Sequence, residues 1–511
     1  MKKIWGLVLA IVLIGAAAGL AQEERAVPDA RQIQEMLGDF EAYARREMTA
    51  WHIPGMAVAI VQNDAVIFAK GFGVKEEGRS DPVTSQTVFQ IGSTTKAFTA
   101  ALVAMLVDEG KAEWKDRVID HVPDFRMYDP WVTREFMIED LLAQHSGLPA
   151  YSGDAQAFFG FDRKHIKGSL AFIKPVSSFR SEFAYVNHLF LVAAEVVENA
   201  TGRSWEESIR ERIFLPLKMS HSSYDRHGLM EGEDVATGHN TQGGRVTPVP
   251  KDLNWPYMYG PAGGINSNVM DMTQWLRLHL NDGMVDGVRL VSEKNMNFMH
   301  SPKTVARYDA KKERGAYYCQ SWIFVDDRPY PYVWHNGGTT GYHSMVAFWP
   351  GPRIGMVVLT NEASNQLAEA LPQYFADLYF GNPKKDHSRE ALDAFNQARA
   401  GAVAEAPGRP AAVSPALALH RYAGVYRNAV YEDATVTAEN GSLTVLLGPA
   451  RFALSLAHWD RDVFVYSVPL FGDDSDGFVR FAQAADGSIT QMTIDLLEDD
   501  GCGVFERNDA S

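Results

Sequence analysis

The 511-residue chain has only two cysteines, Cys319 and Cys502, so its large core needs no disulfide framework; the two could bridge the main domain to the C-terminal segment, but nothing in the sequence places them within bridging distance. Basic residues are scarce beside acidic ones: 48 Lys and Arg stand against 64 Asp and Glu, a formal charge of −16. A phosphate backbone would be repelled overall, which excludes nucleic acid as a partner. Also missing are a GxSxG nucleophile elbow, an HExxH zinc motif and a complete GxGxxG, because Gly71-Phe72-Gly73 has no third glycine. The acidic run Asp473-Asp474-Ser475-Asp476-Gly477 lacks the spaced ligands and terminal glutamate of an EF-hand. No metal site and no cofactor are expected.

What is present begins with Met1-Lys2-Lys3, an apolar stretch from Ile4 to Leu20, and the polar Gln22-Glu23-Glu24. An uncleaved membrane anchor is one explanation. A run rich in Ala and Gly that ends in small residues fits better a secretory signal, residues 1–21, cleaved after Ala21. That implies a periplasmic or secreted protein with no stable membrane insertion after cleavage.

Beyond it, hydrophobic residues at 46% suffice for a sizeable core, and the length calls for one large domain plus a smaller one. Two β-rich runs, Met56–Val61 and Ala65–Ala69, flank Gln62-Asn63-Asp64 as a hairpin; a second hairpin joins His343–Trp349 to Ile354–Leu359. Between them lie helical stretches, Lys96–Glu109, His188–Ala200 and Met270–Leu280, and another follows at Ala363–Phe380. Strands at both sequence ends with helices between argue for an α+β domain over residues 22–383 built on one antiparallel sheet. Residues 384–415 change to an Ala-rich, helix-prone piece followed by Pro407, Pro410 and Pro415, the character of a linker. Residues 416–508 show short alternating runs broken by Asn440-Gly441 and Asp486-Gly487, which predicts a small all-β barrel. From Ala416 onward there are six arginines, no lysine and fifteen acidic residues, a solvated acidic surface.

The single SxxK, Ser93-Thr94-Thr95-Lys96, opens an apolar helical stretch. Positions i and i+3 share a helix face, so the Lys96 amine can reach the Ser93 hydroxyl, and the helix N-terminus favours developing negative charge. Two fixed positions in four arise about once by chance in such a chain, so the motif needs company. Tyr185-Val186-Asn187 lies at a loop-to-helix corner, but Tyr426-Arg427-Asn428 repeats the pattern; His335-Asn336-Gly337 is likewise duplicated by His145-Ser146-Gly147. Context favours His335, which ends a β-prone run and precedes Gly337-Gly338. There a substrate could lie along a strand with its carbonyl between the Ser93 and Gly338 N–H groups.

The ordered SxxK, YxN and HxG motifs resemble the serine β-lactamase-related family, the penicillin-binding-protein-like hydrolases that include class C β-lactamases, esterases and D-aminopeptidases. Leu141–Pro149 and Pro261–Ile265 resemble its "LLxHxSGLP" and "PAGGL" segments, which makes His145 structural. The resemblance covers roughly residues 30–382 and implies a β-lactamase/transpeptidase-like domain with a helical subdomain. The stretch from Tyr422 resembles the lipocalin-like barrel appended to some members.

By the resemblance, Ser93 is the nucleophile, Lys96 and Tyr185 share the base role, Asn187 positions Lys96 and the substrate, and His335 replaces the third-motif lysine. Gly337 and Gly338 with Ser93 form the oxyanion side. That histidine departs from the usual Lys-Thr-Gly: the permanent cation that holds a β-lactam carboxylate is gone, and an imidazole's charge would vary with pH near neutrality. A serine hydrolase acting on esters or on D-amino-acid amides and short peptides is thus expected. The alternatives are a β-lactamase or D,D-carboxypeptidase, and a non-catalytic sensor or ligand-binding protein on the same fold. A homo-oligomer is left open.

Overall fold

A computed structural model describes residues 28–508, apart from 243, 312, 406–407, 469–475 and 499–500. The expected signal segment, residues 1–21, and most of the Asp473–Gly477 run lie outside the described residues.

The large domain is built around β1 (Gly55–Gln62) and β2 (Ala65–Gly73) from the start of the chain and six later strands. These are β3 (Thr304–Asp309), β4 (Arg314–Tyr318), β5 (Ile323–Val325), β6 (Tyr332–Thr339), β7 (Tyr342–Trp349) and β8 (Ile354–Thr360). They form one antiparallel sheet in the order β2-β1-β8-β7-β6-β5-β4-β3, with β1 against β8 so that Met56 faces Thr360 and Gln62 faces Ile354. Both expected hairpins are therefore neighbours across sequence ends.

Every residue of β1 is buried because the sheet is covered on both faces. Side chains alternate: Met56, Val58 and Ile60 enter one core with helices α1 (Ala30–Ala50) and α5 (Leu367–Phe380). Ala57, Ala59 and Val61 enter the other, with α2 (Thr95–Asp108), α3 (His188–Thr201) and α4 (Val269–Leu280). Helix α1 starts in a capping box between Asp29 and Gln32, and α3 stops at Gly202, whose φ of +70° suits a residue without a Cβ. The fold is the α+β arrangement expected, a sheet flanked by helices.

The stretch 384–415 is more than a tether. Helix α6 (His387–Glu405) docks on the large domain, with Trp51 Nε1 donating to Ser388 Oγ at 2.9 Å and the Trp51 and Phe395 rings 5.6 Å apart. Eight antiparallel strands between Gly424 and Arg507 then close into a barrel, the first pairing with the last. Its interior is filled by Tyr422, Tyr426, Phe464, Phe481 and Phe505, all buried. Cys319 and Cys502 are both buried thiols.

Candidate active site

Ser93 sits in a single 3₁₀ turn (Gly92–Thr94) that runs directly into α2. The turn needs glycine on both sides of it. Gly92 has φ +50°, and a Cβ there would meet Gly338 N at 2.7 Å. A Cβ on Gly337 would strike the Ile91 carbonyl at 2.1 Å and Ser93 N at 2.7 Å. Strand β6 can approach the serine only because Gly337 lacks a side chain, while a Cβ on Gly338 would meet just His343 Nδ1, at 4.0 Å.

Lys96, one turn on, is fully buried, with Nζ 3.1 Å from Ser93 Oγ, 2.7 Å from Asn187 Oδ1 and 2.8 Å from the Ala262 carbonyl oxygen. The last two atoms only accept, so Lys96 donates two N–H bonds to them. A neutral amine has two such hydrogens and one lone pair, which is left for the Ser93 hydroxyl. Burial drives the Lys96 pKa down to about 7 against the opposing pull of the Asp154 carboxylate. The amine is thus substantially neutral at physiological pH.

Tyr185 and Asn187 lie at the entrance to α3. The Tyr185 ring lies 4.7 Å from Lys96 Nζ, and its hydroxyl is sealed from water without a hydrogen bond among the described residues. Burial, with Tyr318 close by, holds its pKa well above 10, an effect the nearby Ser93 hydroxyl partly offsets. Tyr185 is a phenol, not a phenolate, in the free protein.

His335 differs from expectation. Its Nδ1 is 2.5 Å from the Asn336 carbonyl, which can only accept, so Nδ1 carries the proton and Nε2 accepts from the Tyr318 hydroxyl at 3.1 Å. Burial, and then the proximity of Lys96, push its pKa to about 3. The imidazole stays neutral through the physiological range, and the pH-dependent charge expected from the sequence is overturned by the low dielectric around it.

Ser93, Tyr185, Asn187, His335, Gly337 and Gly338 all line one cavity of about 500 Å³, with Lys96 just behind its wall. Two further residues belong to it that no motif announced. Tyr318 comes from β4, and Asp154, from a short 3₁₀ helix, accepts from Asn187 Nδ2 at 2.6 Å. They lie 17 and 33 residues from their partners with no fixed spacing, so only folding brings them in. Among the described residues, seven aromatic side chains surround the cavity, including Tyr151, Phe158 and Trp255, and no lysine or arginine lines it.

The duplicated motifs separate cleanly. His145 joins Asp140 and Thr304, 2.8 Å from each, away from the cavity; Tyr426 is buried in the barrel, donating to the Tyr422 carbonyl. Ala262, inside the Pro261–Ile265 segment, explains that segment: its carbonyl receives Lys96.

Fold and cavity together define a serine hydrolase of the β-lactamase/transpeptidase type. Residues 40–379 match the Beta-lactamase family, and the chain belongs to that family. Residues 408–503 match DUF3471, a domain of unknown function. An unguisins hydrolase of Aspergillus campestris is 28% identical over 422 residues, covering 78% of this chain and 77% of its own. Penicillin-binding protein 4 of Amycolatopsis lactamdurans is 27% identical over 339 residues, 65% of this chain and 85% of its own. Among solved structures, the octameric penicillin-binding protein homologue from Pyrococcus abyssi superposes with a TM-score of 0.60 at 22% identity, covering 90% of this chain and 98% of that one. A D-stereospecific amidohydrolase from Streptomyces does so at 0.53 and 21%, covering 70% and 100%.

Proposed function

We propose that the chain forms an acyl-enzyme on Ser93 and hydrolyses neutral esters or amides of D-amino acids and short peptides. One observation carries it: a buried, largely neutral Lys96 whose two N–H bonds are committed to Asn187 and Ala262, leaving its lone pair 3.1 Å from Ser93 Oγ. Lys96 accepts the Ser93 proton as Oγ attacks the carbonyl, and the Ser93 and Gly338 N–H groups receive the oxyanion. The Tyr185 phenol then gives its proton to the departing oxygen or nitrogen and recovers one from Lys96. Water releases the acyl group by the reverse proton path.

The substrate class follows from charge. With no lysine or arginine in the lining among the described residues and His335 neutral, no lining cation there balances a β-lactam or peptide carboxylate, while Asp154 opposes one. The unguisins hydrolase and the amidohydrolase, as named, lend support to amide chemistry. The test is a screen of p-nitrophenyl esters, D-aminoacyl amides and nitrocefin with fluorophosphonate labelling. Labelling at Ser93 is expected, with nitrocefin kcat/KM at least about tenfold below the best neutral substrate because its carboxylate lacks a charged partner. Nitrocefin as the best substrate would favour the β-lactamase reading, and no covalent adduct with any probe would favour a binding protein.

We also propose a secreted or periplasmic location after cleavage behind Ala21, supported by the apolar run Ile4–Leu20 and its small-residue end. The mature protein should begin at Gln22 by intact mass; a retained Met1 would reject this.

A further inference from the structure

The wall segment that lines the cavity is also the segment on which the barrel is seated. Tyr151, Asp154 and Phe158 face the cavity, with Phe158 stacked on Trp255 at 4.6 Å and Tyr151 N donating to the Tyr185 carbonyl at 2.6 Å. The next residue points the other way. Phe159 is fully buried, its ring 5.7 Å from Tyr431 and 5.4 Å from Phe452 of the barrel, and its carbonyl accepts from Ala450 N at 2.9 Å.

Both sides are cut to allow this approach. A Cβ on Gly448 of the barrel would meet the Phe159 carbonyl at 2.5 Å, and one on Gly160 would meet the Ala450 Cβ at 2.8 Å. His165 Nε2 adds a hydrogen bond to the Val430 carbonyl at 3.1 Å. One apolar core therefore runs unbroken from α3 through Phe159 into the barrel. Among the described residues, none beyond Thr339 lines the cavity, so the barrel touches the site only through this wall.

We propose that the C-terminal barrel is the buttress of the catalytic cavity, with Phe159 the positioning residue that fixes the Tyr151–Phe158 wall. Asp154 on that wall holds Asn187, which holds Lys96, so the barrel sets the cavity's shape and the alignment of the Ser93 dyad without supplying a lining side chain. The kinetic part rests on the serine hydrolase proposed above; the mechanical part does not.

The test uses the full-length protein and hydrogen-exchange mass spectrometry. In Gly448→Ala, which perturbs the contact from the barrel, and Phe159→Leu, which perturbs it from the wall, amides of residues 151–158 should exchange about tenfold faster or more, with α2 unchanged. The kcat for esters or amides should fall by a similar factor, recovering in Phe159→Tyr. Unchanged exchange at 151–158, or a uniform rise that includes α2, overturns the proposal. If a variant fails to fold, the unsubstituted protein decides: in low guanidinium, 151–158 and 447–453 must open in one step, and separate openings overturn it. Faster exchange in a protein whose Ser93 no fluorophosphonate labels would retain the buttress and reject the serine chemistry.

Discussion

Replacing Ser93 with alanine is expected to lower ester and amide turnover by at least about 10⁴-fold and to abolish fluorophosphonate labelling. The hydroxyl lies 3.1 Å from the Lys96 amine, on the turn that Gly337 and Gly338 of β6 pass closely. What survives its removal is binding and oxyanion stabilisation, which act on attack by water without a covalent step. The change should leave the fold intact, because Ser93 is only half-buried and its hydroxyl faces Lys96 and Tyr185 inside the cavity. Turnover within tenfold of the unsubstituted enzyme in correctly folded Ser93→Ala would end the assignment.

Lys96→Met, which keeps the length of the side chain and removes the amine, should cost on the order of 10³-fold in kcat/KM. In the unsubstituted enzyme the sign of the pH dependence follows from the depressed Lys96 pKa. The base form is the neutral amine, so kcat/KM rises with pH through about 7 and levels off above it. His335, already deprotonated down to about 3, adds no step in that range. In Lys96→Met the rise near pH 7 should vanish with the activity. A pH–kcat/KM profile that keeps it would place the titrating group elsewhere.

Much of the fold was legible along the chain. The hairpins that became β1–β2 and β7–β8 carried period-2 or continuous apolar runs with turn residues between them, and α2, α3 and α4 carried helical stretches that stop at glycine or asparagine. The barrel's Asn440-Gly441 turn was visible for the same reason: the chemistry of a tight turn is local. Helix α6 was harder. Its docking depends on Trp51 and Tyr43, more than three hundred residues earlier, and no local pattern encodes that distance.

The sequence by itself determined the residue types that serine chemistry needs and their order, because SxxK places two groups on one helix turn and that geometry is local. It also determined the loss of the third-motif cation, which is a matter of residue identity. Only the tertiary structure decided the states of those groups. Whether Lys96 is an amine or an ammonium, whether Tyr185 is a phenol, and whether His335 ever carries charge all depend on burial and on partners from distant segments. Tyr318 and Asp154 reach the site, and the barrel reaches its wall through Phe159, only when the chain closes on itself. Local spacing can place a nucleophile beside its base; the dielectric and the long-range contacts that tune them exist only in the folded chain.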